Sequence, residues 1–309
     1  MKPALAQFAA SSKEATAASS SAKALLLCLM WLGSNGALAD RPVVRDQPGF
    51  PLVRIEYLVS KRKGGEARRL IDQVKPTAAN KNLIHIWRGF SYRCEREPEL
   101  AVAEFDQCTS FAEARGWTNL IACSYGQTEH FDRAIKILTA AIAETPSASG
   151  LYADRADYYC ALGQFDKAVP DYKRAAAGNT ERKRLYLTIA AEVLRRQGKL
   201  KEAMAVLDEG LKFPDRLSDG KYWLCRAQIE TQQQHWQEGE KNCTIGLNQT
   251  RKASAKNKSA EEIAMAHLLL ERAKCYKHLG KSALAEADLR EHQKFSAETE
   301  DEILGKFRR

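Results

Sequence analysis

The chain has 309 residues, with 48 lysines and arginines against 39 acids, a formal charge of +9, and 8 cysteines. No two cysteines stand as C-x-x-C, which excludes the usual zinc and thioredoxin-type arrangements. There is no Gly-rich phosphate loop, G-x-S-x-G or H-E-x-x-H, so the expectation is a protein that is not an enzyme and needs no cofactor or metal.

Residues 1–39 stand apart from the rest. Lys23 precedes an apolar run, Ala24 to Gly33, which leads into Ser34-Asn35-Gly36-Ala37-Leu38-Ala39. A basic start, a short apolar core and small residues at Ala37 and Ala39 predict a secretory signal peptide cleaved after Ala39. The run is too short to span a bilayer, which needs about 20 residues. A transit peptide is the competing reading, but the segment has no arginine. Cys28 lacks the small residues before it that a lipoprotein signal requires. Export would place a chain beginning at Asp40 in the periplasm of a Gram-negative cell; an unused signal would leave it in the cytoplasm. Lys2, Lys13, Lys23 and Glu14 give residues 1–39 a charge of +2, leaving +7 on the remainder.

Pro42, Pro48 and Pro51 mark residues 40–50 as an extended linker. Residues 51–76 then predict an atypical first helix pair, Leu52–Ser60 and Glu66–Val74 around Gly64-Gly65, with Ala67 placed 34 residues before Ala101. The alternative for Leu52–Ser60 is a strand, since Val53, Ile55 and Tyr57 alternate with Arg54 and Glu56.

From residue 82 to residue 295 six stretches align on a small anchor: Ala101, Ala134, Ala168, Ala203, Gly239 and Ala285, at steps of 33, 34, 35, 36 and 46. Twelve residues before each anchor stands another small residue (Gly89, Ala122, Ala156, Ala191, Ala227, Ala273). Nine before, four of the six are tyrosine: Tyr92, Tyr125, Tyr159 and Tyr276. Four after come Phe105, Leu138, Tyr172, Leu207, Cys243 and Leu289. The small columns mark where paired helices approach closely, and the bulky columns fill the gaps beside that contact. Gly163, Gly198 and Gly280 fall where a turn joins the two helices, and Pro146 and Pro214 follow second helices. The Glu129-His130 and Gln234-His235 turns lack glycine, so those two repeats are expected to depart from the pattern.

A period near 34 with this column order resembles the tetratricopeptide repeat (TPR). The resemblance implies an all-α fold, a right-handed α-solenoid of stacked helix–turn–helix units. Thirteen residues before the anchors stand Arg88, Ile121, Arg155, Ala190, Arg226 and Arg272, and three after them Glu104, Ile137, Asp171, Val206, Asn242 and Asp288. The pairing of arginine with an acid predicts clips within a repeat: Arg88–Glu104, Arg155–Asp171 and Arg272–Asp288, with Arg226–Asn242 as a weaker form.

The long last step locates an insertion near Thr250–Ala260, a basic loop with Arg251, Lys252, Lys256 and Lys258 and no acid before its end. Residues 296–309 are expected to form a capping helix, acidic at its start and basic at its end, as the helix dipole favours. The cysteines are expected mainly as small buried apolar residues. Cys225 and Cys243 lie at matching heights but point apart, and Cys108 could meet Cys123 across a repeat boundary. Cys275 and His278 share a helix face, read as a surface pair and not as metal ligands.

By the family pattern the concave face is built from the exposed side of each first helix. Its candidate partner-binding residues are Arg93, Asp157, Glu192, Arg195, Gln228, Lys274 and Lys277. The implied function is a protein-binding scaffold that takes a protein or peptide in the cell envelope. The rival reading is a polyanion or anionic membrane surface bound through the 250–260 loop. Nucleic acid is not expected, because few aromatics accompany the basic loop.

Overall fold

A computed structural model describes residues 51–307 apart from 115, 214–218 and 254–257. The expected signal and linker therefore lie outside the described residues, as does Pro214. Fourteen α-helices and one 3-10 turn, with no strand, form the described residues. They fall into two compact units, one ending at Asp171 and the other beginning at Tyr172.

The first unit holds α1 (Leu52–Ser60), α2 (Gly64–Asp72), α3 (Lys81–Cys94), α4 (Pro98–Phe105), α5 (Thr118–Gln127), α6 (Phe131–Glu144) and α7 (Ser149–Ala161). α8 (Phe165–Gly178) carries the division between units. The second unit continues with α9 (Lys183–Arg196), α10 (Leu200–Gly210), α11 (Asp219–Gln232), α12 (Trp236–Ala253), α13 (Lys258–His278) and α14 (Ser282–Phe307). Within each unit the helices pair as hairpins, and successive first helices also touch: α1 with α3, α5 with α7, α9 with α11, and α11 with α13.

Leu52–Ser60 is a helix, burying Leu52 and Ile55 three residues apart and leaving Val53 and Tyr57 exposed. Gly64 and Gly65 open α2 instead of linking two helices. A Cβ on Gly64 would lie 2.3 Å from the Ser91 carbonyl oxygen. The Gly65 amide donates to Glu95 Oε1 at 2.8 Å. Glycine is needed here because the α2 backbone lies directly on α3.

The small columns are the buried seams of the fold. Ala101, Ala122, Ala134, Ala156, Ala168, Ala191, Ala203 and Ala227 are each wholly inaccessible. In the first hairpin of the regular array a Cβ on Gly89 would meet the Phe105 ring at 2.3 Å. The first unit also holds a packed aromatic cluster. Trp87 meets Phe90 edge-on at 5.3 Å and Trp117 at 5.5 Å, and Phe90 meets Phe105 at 5.6 Å. Such edge-to-face pairs add roughly 1 kcal/mol each beyond their buried area.

The turn glycines Gly163, Gly198 and Gly280 have φ of 69°, 74° and 72°. The repeats expected to depart from the pattern keep the same turn: Glu129 has φ 61° and Gln234 φ 62°, and Arg62 and Arg96 do likewise. The left-handed turn is therefore imposed by hairpin packing, and the non-glycine residues bear its steric cost. α8 also runs through Pro170. Burial of Ala168, Val169, Tyr172, Ala175 and Ala176 holds its helical path despite the lost amide.

Two expectations at the C-terminal end are corrected. Thr250, Arg251 and Lys252 belong to α12 and Lys258 starts α13, so these members of the basic segment are helical and not in a loop; Lys256 lies outside the described residues. Thr250 is fully buried and donates to the Gly246 carbonyl at 2.8 Å, and Arg251 pairs with Glu291 at 2.7 Å. The described residues on either side extend α12 and α13, since the stretch between Gly246 and Gly280 has neither proline nor glycine. Likewise 296–307 form no separate capping helix but continue α14, since nothing after Ser282 interrupts it.

The arginine column reveals a rule the spacing did not show. Arg155 makes a bidentate pair with Asp171, at 2.7 and 2.9 Å, and donates to Thr139 Oγ1 on α6 at 3.0 Å. Arg272 grips Asp288 at 2.8 and 2.7 Å and reaches Thr244 Oγ1 on α12 at 3.3 Å. Each guanidinium thus sits where three helices meet. Arg88 does not pair with Glu104: it turns back to Asp72 on α2 at 2.5 Å, while His85 takes Glu104 at 2.8 Å. Arg226 likewise bonds Asp208 on α10 at 2.5 Å instead of Asn242. Arginine follows the carboxylate that is free, because a charged acceptor outweighs a neutral or occupied one.

A double-mutant cycle between Arg155→Ala and Asp171→Ala should show coupling of about 1–3 kcal/mol in chemical denaturation, since both groups are largely buried. The same cycle on Arg88 and Glu104 should be additive. Gln234→Gly should stabilise the protein by about 1 kcal/mol by relieving the left-handed residue; an unchanged or lower unfolding midpoint would refute that account of the turn.

Candidate functional site: the first-helix faces

In the first unit the first helices α3, α5 and α7 gather a cluster around Tyr158. Tyr158 is buried and its hydroxyl donates to the Ala122 carbonyl at 3.2 Å. A Cβ on Gly126 would lie 2.4 Å from its ring, so α5 lies against the ring only because that position is glycine. Burial pushes the phenol well above its ordinary range. Cys123, Asp154 and Asp157 push it the same way, and Arg93 opposes them. Two expected residues, Arg93 on α3 and Asp157 on α7, thus both act on the Tyr158 phenol, in opposite senses. Arg93 is half-buried there, and its Nε has no hydrogen-bond partner among the described residues.

Asp154 was not singled out by its spacing. It is half-buried on the same helix as Asp157, and burial plus that neighbouring carboxylate push its pKa up to about 8. No sequence signal marks this, because the effect comes from packing around an otherwise ordinary helical acid.

In the second unit the exposed sides of α9, α11 and α13 form an ion-paired row. Glu192 accepts two bonds from Arg195, both 2.7 Å, and one from Arg196 at 2.8 Å. Burial alone would raise the Glu192 pKa, but the two guanidiniums outweigh it and hold the carboxyl below its usual range. Glu192 and Arg195 are therefore partners of one another, and burial together with the Glu192 carboxylate drives the Cys225 thiol pKa up. On α11, Thr231 donates to the Gln228 carbonyl at 3.1 Å and to Glu271 of α13. Lys274 lies 3.6 Å from Glu271. Gln228 is half-buried, and Lys274 and Lys277 are exposed. Glu271, which ties α13 into this row, was missed because it lies one position outside the columns considered. His278 does not pair with Cys275; its ring stacks on Trp236 at 3.7 Å and 4°.

These faces carry charged and hydrogen-bonding side chains. Among the described residues no group of three or more His, Cys, Asp and Glu side chains could hold a metal ion. No described helix is long and apolar enough to cross a membrane. Both faces offer hydrogen-bonding groups of either charge held at fixed heights on stacked helices.

Asp154 gives the first unit a pH signature. The unfolded carboxyl ionises near pH 4 and the folded one near 8. The folded state therefore binds the extra proton between those values. Stability from the neutral form is fully present below pH 4 and is lost as pH rises through 8. Asp154→Asn should raise the melting temperature at pH 8 and leave it unchanged at pH 4; an equal shift at both pH values would exclude this role.

No protein-family model matches the chain, and no curated protein matches it. Solved structures do. The C-terminal part of a TPR repeat-containing protein from Cytophaga hutchinsonii is 12% identical, with 79% of this chain and 94% of that one covered at a TM-score of 0.59. The APC/C hetero-tetramer Cut9–Hcn1 matches at 13% identity and a TM-score of 0.50, over 79% of this chain and 45% of that one. At such identities the likeness is one of fold, and it agrees with the buried small columns and the paired helices: the chain has the tetratricopeptide-repeat fold.

Proposed function

We propose that the chain is a non-enzymatic scaffold that binds a polypeptide along the exposed sides of its first helices, in the cell envelope after export. The observation that carries this reading is the ion-paired row on α9, α11 and α13. Glu192, Arg195, Arg196, Glu271 and Lys274 hold charges of both signs at fixed spacing, with Glu192, Arg195 and Glu271 largely enclosed and Arg196 and Lys274 open to solvent. Such a row costs little side-chain entropy when a partner adds further hydrogen bonds. One neighbour of the same fold, Cut9–Hcn1, is a hetero-tetramer. Export rests on Lys23, the Ala24–Gly33 run and the Ala37–Ala39 pattern.

The polyanion reading is weakened by the neighbours of its cations. Arg251 is bound by Glu291 and Lys274 lies beside Glu271.

The test is a pull-down with the processed protein, repeated with Glu192, Arg195 and Gln228 changed to alanine and separately with Arg251 and Lys252 changed to alanine. We expect the first set to lose the partner and the second to keep it. Polyanion binding would instead fall about a thousandfold between low and physiological salt for six or more phosphate contacts, and that outcome overturns the peptide reading. N-terminal sequencing of the cell-associated protein should begin at Asp40; an intact Met1 start would remove the envelope assignment.

A further inference from the structure

Ten residues before its anchor, every first helix but one carries a buried residue. Ser91, Ser124, Tyr158, Val193, Ile229 and Cys275 are no more than 6% exposed. In three of them the cover is visibly the preceding repeat. Ser91 Oγ accepts from Arg68 of α2 at 3.2 Å, the Tyr158 ring lies against Gly126 of α5, and Cys275 lies against Gly239 of α12. On α1 the same position, ten before Ala67, is Tyr57, and it is 59% exposed.

The arginine position three residues earlier follows a second regularity. Arg88 bonds Asp72, Arg155 bonds Thr139, Arg226 bonds Asp208 and Arg272 bonds Thr244. Each acceptor stands five residues after the anchor of the preceding repeat. Where that residue is Lys173, the next first helix has Ala190 in place of arginine. Arg54, thirteen before Ala67, is the member of this series on α1. It is exposed and has no hydrogen-bond or ion-pair partner among the described residues.

We propose that the side of α1 bearing Arg54 and Tyr57 is a docking surface for an amphipathic helix of another polypeptide, one that sets an aspartate or glutamate against Arg54 and a glycine or alanine against the Tyr57 ring. The carboxylate follows from the open guanidinium, because a charge-assisted bond is roughly twice as strong as a neutral one. Lys61, with its ammonium 5.8 Å from the Tyr57 ring, adds a second positive charge one turn further on. The small residue follows from the ring: against the other tyrosine of the series, Tyr158, a Cβ on Gly126 would stand 2.4 Å away. A second copy of this chain lacks that chemistry. Its last repeat has Arg290 five residues after Ala285, which would set like charges together. The residues just before α1 do not offer a helix either, being interrupted by Pro42, Pro48 and Pro51.

This surface lies on a different unit from the ion-paired row of α9, α11 and α13 and does not depend on what that row binds. The probe is a fluorescent peptide of residues 200–212, stapled to hold it helical, since that helix has Asp208 five residues after Ala203 and supplies the carboxylate taken by Arg226. Its anisotropy should show saturable binding to the full chain. Arg54→Glu should weaken binding about tenfold or more, and a peptide carrying Asp208→Lys should bind the Arg54→Glu chain more tightly than the parent peptide does. Tetranitromethane should nitrate Tyr57 in the free chain, and the bound peptide should protect it. Absence of saturable binding, or binding that Arg54→Glu leaves unchanged, would overturn the proposal. So would a Tyr57 that resists nitration in the free chain, because the surface would then be covered by the chain's own residues or by a second copy.

Discussion

Everything in this chain depends on how closely two helices of a hairpin can approach. The approach is set by residues with one side-chain carbon or none, repeated at a fixed interval. Where the column is alanine, the methyl group is wholly enclosed by the neighbouring helix. Where it is glycine, as at Gly89 and Gly239, a ring or a sulfur lies in the space a Cβ would need. Each hairpin buries its other face only against the next, so the seam within a hairpin also fixes the height at which the following hairpin docks. The bulky residues, tyrosines and arginines gain their positions from that spacing.

The fold was legible because close approach leaves a compositional trace. A small residue recurring near every 34 positions has no other physical cause in a chain of this composition. The arginine clips were only half legible. Spacing places Arg88 and Arg226 beside Glu104 and Asn242, but a side chain of that length can reach either neighbouring helix. The result turns on His85 holding Glu104 and on Asn242 carrying no charge, facts that no column contains. The turns erred in the opposite sense. Glycine is the cheapest residue for a left-handed turn, so its absence at Glu129 and Gln234 suggested a different geometry. Packing enforced the same turn regardless. The long step before the last anchor suggests a loop because an insertion most often is one; its described residues instead extend the helices on either side, as helix-favouring residues allow.

The first-helix faces were the least legible part. Column arithmetic places Lys274 and Lys277 among exposed residues but Arg195 and Glu192 among largely enclosed ones, and it does not tell which charges are already spoken for. Glu192 with Arg195 and Glu271 with Lys274 are internal pairs and not isolated ions. The raised pKa of Asp154 arises from burial, and a single chain read by periodicity contains no record of it.

The aromatic residues have an optical consequence. Trp87 and Trp117 face each other edge-on at 5.5 Å inside the first unit. In the second, Trp223 donates to Gln249 and Trp236 lies flat on the His278 ring. The two units therefore carry chromophores in unlike surroundings: an exciton-coupled apolar pair in one, and in the other an indole in contact with a titratable imidazole. A chain that melts hairpin by hairpin would reveal it spectrally, since near-ultraviolet dichroism would follow the first unit while pH-dependent quenching would follow the second.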